Sequence, residues 1–175
     1  MSMYNRIAAG IVSAVVLLAG VVMAESPNLG RALTAADVTA LDFTVLPNGQ
    51  GLPDGSASAV QGEVVYKAHC QSCHGEQGTN GTNDRLAGGR GSINSVSPMK
   101  TVGSYWPYAT TVFDYVRRAM PLQAPGQLND AELYAVTAYL LFINDIVERD
   151  TVMNARTLQE VEMPNRDNFV WATSP

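Results

Sequence analysis

Two cysteines three residues apart, followed at once by a histidine, constrain this chain more than any other feature. Cys70-Gln71-Ser72-Cys73-His74 is a C-x-x-C-H run, the attachment signature of a c-type haem. On a helical turn, two thiols at this spacing can form thioethers to the two vinyl groups on one porphyrin edge. The adjacent imidazole is then carried under the iron as the proximal ligand. Other readings of five residues remain open. A thioredoxin-like redox pair usually follows a strand in an α/β pattern, which this chain lacks. A disulfide across two intervening residues closes too small a loop to add much stability. A chance match is the third. A structural zinc usually needs four Cys or His ligands. The chain has two of each, His69, Cys70, Cys73 and His74, all in one five-residue stretch that cannot wrap a metal tetrahedrally. Two cysteines also exclude a disulfide-rich scaffold.

The first segment reads as an address. Arg6 precedes an uncharged, mostly apolar run from 7 to 24, which Glu25, Ser26 and Pro27 break. This is the layout of a secretory signal peptide, with Val22 and Ala24 suited to a cleavage site. An uncleaved anchor helix in the cytoplasmic membrane is the competing reading, since about 17 apolar residues can just span a bilayer. Either way the remainder lies outside the cytoplasm, in the periplasm, with Arg6 retained inside. The export signal, the absence of other cysteines and a long loop all favour the haem reading of the motif.

The 175 residues suffice for one domain with extensions. With 46% hydrophobic and 15% charged residues the chain can bury a core. Its net charge of -5 argues against a nucleic-acid partner held through phosphates. The acidity is uneven. Residues 25–119 hold 8 acids and 7 bases, residues 120–175 hold 8 acids and 3 bases. The carboxyl-terminal part is a solvated negative face, or one that orients a basic partner.

Residues 25–56 read as an amino-terminal extension, with a short helix from Thr34 to Leu41 capped by Thr34 and Asp37. Phe43, Val45 and Leu46 suggest a short strand before a turn at Pro47-Asn48-Gly49. A haem domain then occupies 57–149. Its first helix runs from about Ser58 to His69, with Gly62 and Tyr66 on one face. Residues 75–100, rich in Gly, Asn and Ser, form a loop long enough to wrap something. A helix capped by Thr110 or Thr111 runs to Ala119, where Pro121 follows. Asn129 and Glu132 start the clearest helix, about Asp130 to Val147, with a broad apolar face. Residues 150–175 read as an extended tail with apolar anchors, among them Met163, Phe169 and Trp171.

The sixth iron ligand narrows by elimination. His69 sits one residue before the motif and cannot reach the opposite haem face. Methionine is the common alternative and raises the potential. Met120 stands after a helix and before a proline, which turns the chain into an extended strap able to carry sulfur to the iron. Met163, also followed by proline, is the rival. Each is also readable as a gap-filling core residue. His74 and Met120 are thus the candidate metal ligands. Cys70, Cys73, Trp106 and Arg90 join them as candidate cofactor-binding residues, the last two through the haem propionates. Tyr105, Arg117 and Arg118 are further possibilities there.

These positions carry a resemblance. Gly62-x-x-x-Tyr66, Cys70 to His74, Leu86-x-Gly88, Met120-Pro121 and Val136-x-x-Tyr139-Leu140 resemble class I c-type cytochromes. The resemblance implies an all-α fold around one covalent haem c, with the first and last helices crossing at Gly62 and Tyr66 against Val136 and Tyr139. The family commonly has a proline whose carbonyl accepts the proximal histidine's Nδ1 proton. Here that position is Asp84, and its backbone carbonyl can still serve.

Pro47 to Gly55, Trp106-Pro107, Thr111 to Pro121, Leu128 to Asp145 and Met163 to Phe169 are similar to the cytochrome subunits of bacterial sulfite dehydrogenases, including the Sox type. That implies electrons received from a molybdenum-cofactor oxidoreductase subunit of the sulfite oxidase family and passed to a downstream cytochrome or terminal oxidase. The chain itself would then be a non-catalytic carrier. Two other classes stay open: a general periplasmic or membrane-anchored shuttle to a terminal oxidase, and a haem enzyme or sensor with an open iron position.

Overall fold

The computed structural model describes residues 29–170. The signal or anchor reading of residues 1–24 and the anchor role of Trp171 lie outside them. Among the described residues, no helix is long and apolar enough to cross a membrane. The chain divides into two units after Leu41. In the first, α1 spans Ala35–Leu41. Thr34 N donates to Asp37 Oδ2 at 2.8 Å and Asp37 N donates to Thr34 Oγ1 at 3.1 Å, the reciprocal cap expected of these residues. Arg31 grips the same carboxylate through both Nη atoms at 2.9 Å and holds Asp37 well below the usual carboxylate range.

The second unit runs β1 (Ser56–Ser58), α2 (Ala59–His69), α3 (Gln71–His74), a 3-10 turn (Glu76–Gly78), α4 (Ala109–Ala119), α5 (Asp130–Phe142), β2 (Val152–Asn154), α6 (Ala155–Gln159) and a second 3-10 turn (Arg166–Asn168). Helix α5 is the spine: Leu133 through Leu141 are all buried, so no face of these turns meets water. Its start is the predicted box, with Glu132 N donating to Asn129 Oδ1 at 3.0 Å and Asn129 N to Glu132 Oε2 at 2.9 Å. Helix α2 crosses it at Gly62. A Cβ there would land on the Ala135 carbonyl oxygen and lie 2.8 Å from Tyr139 Cβ. Only a residue without a side chain lets the two backbones approach this closely. One turn on, the Tyr66 and Tyr139 rings stack with centroids 5.0 Å apart. The crossing partner of Gly62 is thus Ala135 as well as Tyr139.

Several local expectations shift. Helix α5 ends at Phe142 instead of Val147, because Asp145 turns left-handed at φ 55° and the Asn144 side chain takes up the Leu140 carbonyl at 2.8 Å. Helix α4 starts at Ala109 with Tyr108 as N-cap. Neither Thr110 nor Thr111 caps it. The Thr110 hydroxyl donates to the Pro47 carbonyl at 2.9 Å and that of Thr111 to the Tyr108 carbonyl at 2.8 Å. Phe43 to Leu46 form no strand. The buried Asp114 carboxylate instead accepts from Val45 N at 2.8 Å and from the Arg118 guanidinium, a partner stronger than an unpaired strand edge.

The carboxyl-terminal segment carries β2, α6 and a 3-10 turn where an extended tail was expected. β2 pairs antiparallel with β1, Ala57 opposite Met153. This ribbon is the one strand pairing in an otherwise helical chain, among the described residues. Met153, Leu158 and Met163 join Val45 in the same core as α2, α4 and α5. These flanking segments complete the core because three helices around a large cavity leave apolar surface that short pieces must cover.

Two core tyrosines give a pH signature. Tyr66 Oη donates to the Gly75 carbonyl and Tyr134 Oη to the Pro53 carbonyl, each at 2.8 Å. Burial, ahead of nearby charge, pushes both up to about 12. Their folded values exceed the unfolded value of about 10. Their contribution to stability is full below that value and is lost as pH rises through about 12. Denaturant unfolding followed against pH should show stability falling steeply across that window, and the double variant Tyr66→Phe, Tyr134→Phe should flatten the fall.

Candidate haem site

The site begins where α2 stops. Cys70 N donates to the Tyr66 carbonyl at 2.8 Å, and the Cys70 carbonyl then accepts from Cys73 N at 3.1 Å and His74 N at 2.9 Å. One helical turn therefore carries both thiols and the imidazole. Gly75, at φ 78°, ends that turn. His74 Nδ1 lies 2.7 Å from the Asp84 carbonyl oxygen. A carbonyl only accepts, so Nδ1 carries the proton and Nε2 keeps its lone pair for a metal. The backbone of Asp84 thus does what a proline carbonyl does elsewhere.

Cys70, Cys73 and His74 line one cavity, open to solvent on one side and walled by apolar side chains including Leu86, Val102, Val112, Val136 and Leu140. Met120 and Pro121 line it too. Met120 caps α4 in an extended conformation, φ -126° and ψ 146°, the backbone that a following proline favours. Met163 is buried in the core and is not among the residues lining the cavity. Trp106 lines the cavity as well.

Arg90 does not. Its Nη2 donates to the carbonyls of Asn144 and Asp145 at 3.2 and 3.3 Å, because the end of α5 presents carbonyls without helical partners. Tyr105 faces Phe169, ring centroids 5.5 Å apart. Arg117 lies over the Phe43 ring and Arg118 pairs with Asp114. The cations that do line the cavity are Arg85 and Lys100. Sequence reasoning missed both, although Arg85 sits between Asp84, the expected acceptor of the histidine proton, and Leu86 of the Leu86-x-Gly88 motif. His69 also lines it, and its Nδ1 accepts from Gln127 Nε2 at 3.0 Å.

The chemistry of this donor set fits a covalently attached haem. The two cysteines form no disulfide with each other. Burial, ahead of the neighbouring Cys73, pushes the Cys70 thiol up to about 11, opposite to the lowered value a thiol-exchange pair needs. Among the described residues, no cluster of three His, Cys, Asp or Glu side chains is placed to hold a metal ion by itself. The His74 imidazole, with Nε2 free beside two thiols, and the Met120 thioether on the wall of the same apolar cavity suit a planar, largely apolar, iron-bearing ring.

Fold and site together define a protein of the kind that carries one covalently attached c-type haem, with the C-x-x-C-H turn and the Met120-Pro121 segment on the wall of one cavity. Comparison with known proteins agrees. A family model described as cytochrome c oxidase, cbb3-type, subunit III matches residues 57–140, from the end of β1 through most of α5. The crystal structure of the sulfane dehydrogenase SoxCD from Paracoccus pantotrophus contains a chain 40% identical in sequence. It superposes with a TM-score of 0.76 over 83% of this chain and 72% of that one. No curated protein matches the chain significantly. The chain belongs to the class I c-type cytochromes and is similar to those of the Sox type. It is an electron-transfer protein carrying covalently bound haem c.

Proposed function

We propose that this chain is the electron-accepting cytochrome subunit of a molybdenum-cofactor dehydrogenase acting on sulfite or a related sulfur compound. The observation that carries the reading is the 40% identity to a chain of the SoxCD sulfane dehydrogenase over 83% of this chain. Cys70 and Cys73 would hold the ring through thioethers, and His74 Nε2 and Met120 Sδ would be its iron ligands. When bound, the haem supplies a one-electron ferric/ferrous couple.

The protein's own residues set how that couple works. The Asp84 carbonyl orients His74. The wall of valines and leucines excludes water and lowers the local dielectric. Arg85 and Lys100 are the cations available to the propionates, and Trp106 offers its indole N–H. With His74 and Met120 both supplied to the iron by the chain, a substrate would find no free ligand position there, and the sulfur chemistry would belong to the partner. The partner delivers electrons one at a time, and a downstream cytochrome or oxidase removes them. The chain is exported through residues 1–24 and works in the periplasm, with 25–56 and 150–175 flanking the haem domain 57–149.

Isolation of the tagged full-length chain from its native host, followed by molybdenum analysis, tests this. Co-purification of a molybdenum protein that reduces the haem on addition of sulfite or a sulfane donor is the expected outcome. A chain that purifies alone, and that an oxidase preparation oxidises without such a partner, is instead a general shuttle.

A further inference from the structure

We propose that Asn144 is the positioning residue that fixes the proximal histidine's hydrogen bond, replacing by a tertiary tether the local stiffness that a proline would give at position 84. This rests on the haem reading above. The acceptor of the His74 Nδ1 proton is the carbonyl of Asp84, an exposed residue in a long loop without regular structure. On its amino side, Asn83 N donates to the Cys73 carbonyl at 2.9 Å. On the side of the accepting carbonyl itself, the first anchor is Leu86, two residues on. Leu86 N donates to the Gly78 carbonyl at 2.8 Å. The Leu86 carbonyl accepts from Val102 N at 3.2 Å and from Asn144 Nδ2 at 3.0 Å.

Asn144 is 6% exposed, and both its amide nitrogen and its amide oxygen are engaged. Nδ2 also donates to the Leu140 carbonyl at 2.8 Å, and Oδ1 accepts from Gly88 N at 3.1 Å. The backbone of Gly103 packs against the same amide so closely that a Cβ there would fall on Oδ1. One buried side chain therefore ties the loop at residues 86 and 88, and seats it at 103, on the end of α5. Arg90 closes the joint from outside by donating to the Asn144 and Asp145 carbonyls. This is the work Arg90 does in place of binding cofactor.

The consequence is electronic. A firm Nδ1–H to carbonyl bond makes the imidazole a more basic ligand and favours the ferric state. Loosening Leu86 lets the Asp84 carbonyl wander, weakens that bond and raises the midpoint potential. A neutral change is needed, because a new charge would move the potential by itself. Asn144→Leu keeps the shape and removes all three bonds. Asn144→Ser is the milder neutral variant if the leucine protein does not accumulate. Leu133→Ala, at a buried position not among the cavity's lining residues, serves as a control of comparable thermal destabilisation.

The expected result, on holoprotein with haem loading checked by pyridine haemochrome, has three parts. The potential shifts upward in the Asn144 variant and not in the control. Hydrogen exchange at His74 Nδ1, followed by NMR, quickens several-fold. The sulfur-to-iron charge-transfer band stays, since Met120 is untouched. An unchanged potential and exchange rate in a destabilised Asn144 variant overturns this role and leaves the haem site standing. Wild-type protein without covalent haem or without the sulfur band overturns the reading of the site, and this inference with it.

Discussion

Met120→Ala abolishes the long-wavelength sulfur-to-iron band of the oxidised protein and opens the iron to carbon monoxide in the reduced one. Met120 lies on the wall of the same cavity as His74, and its extended backbone before Pro121 is what brings a helix-terminal residue there. The alternative donor, Met163, is 4% exposed within the core and is not among the residues lining the cavity. Losing the thioether should also lower the midpoint potential by about 0.1–0.3 V, a moderate part of the range that axial ligands span. Absorption spectra and a redox titration of the variant, beside Met163→Leu, decide the matter. Met163→Leu should leave band and potential in place and cost about 1 kcal/mol as a near volume-conserving core change. A band that survives in Met120→Ala and vanishes in Met163→Leu reverses the assignment.

The second large effect is expected at the helix crossing, far from any chemistry. Replacing Gly62 by alanine gains up to about 1 kcal/mol of helix propensity. The new Cβ would nevertheless sit on the Ala135 carbonyl, which is backbone and cannot swing aside. Separating α2 from α5 also pulls Tyr66 off Tyr139 and disturbs the end of α2, from which Cys70 follows. Overpacking costs of about 1–3 kcal/mol or more outweigh the propensity gain. Gly62→Val, with a branched side chain as well, should lie at or beyond the upper end. Against a total of about 5–15 kcal/mol, that is enough to suppress accumulation of holoprotein. Thermal melting of Gly62→Ala and haem yield of Gly62→Val measure this. An alanine variant more stable than wild type would mean that the two helices do not meet there.

Much of the site is local, and so it is written in the chain. Cys70, Cys73 and His74 lie within one turn of helix, and a spacing of three and four residues fixes their relation whatever surrounds them. The strap at Met120-Pro121 is nearly as local, since proline restricts the residue before it. The caps at Thr34 and Asn129 involve partners three residues away and hold as read. What failed to be legible depends on partners far along the chain. Arg90 had a plausible anionic target in sequence, yet it meets carbonyls 54 and 55 positions on. The Phe43 to Leu46 piece had strand composition, yet no strand lies beside it, and Asp114, 69 positions on, takes its Val45 N–H. The carboxyl-terminal segment looked extended because its apolar residues are sparse, but each lands in the core that the helices leave unfilled.

By itself, then, the order of residues dictated a covalently attached cofactor and put a candidate proximal imidazole beside its two thiols, because one helical turn fixes their relation. Folding in three dimensions decided which methionine lines the cavity with His74, which cations border that cavity and how the Asp84 carbonyl is held. Those choices are made by side chains dozens of residues apart, whose meeting depends on how α2, α4 and α5 pack and not on any spacing along the chain.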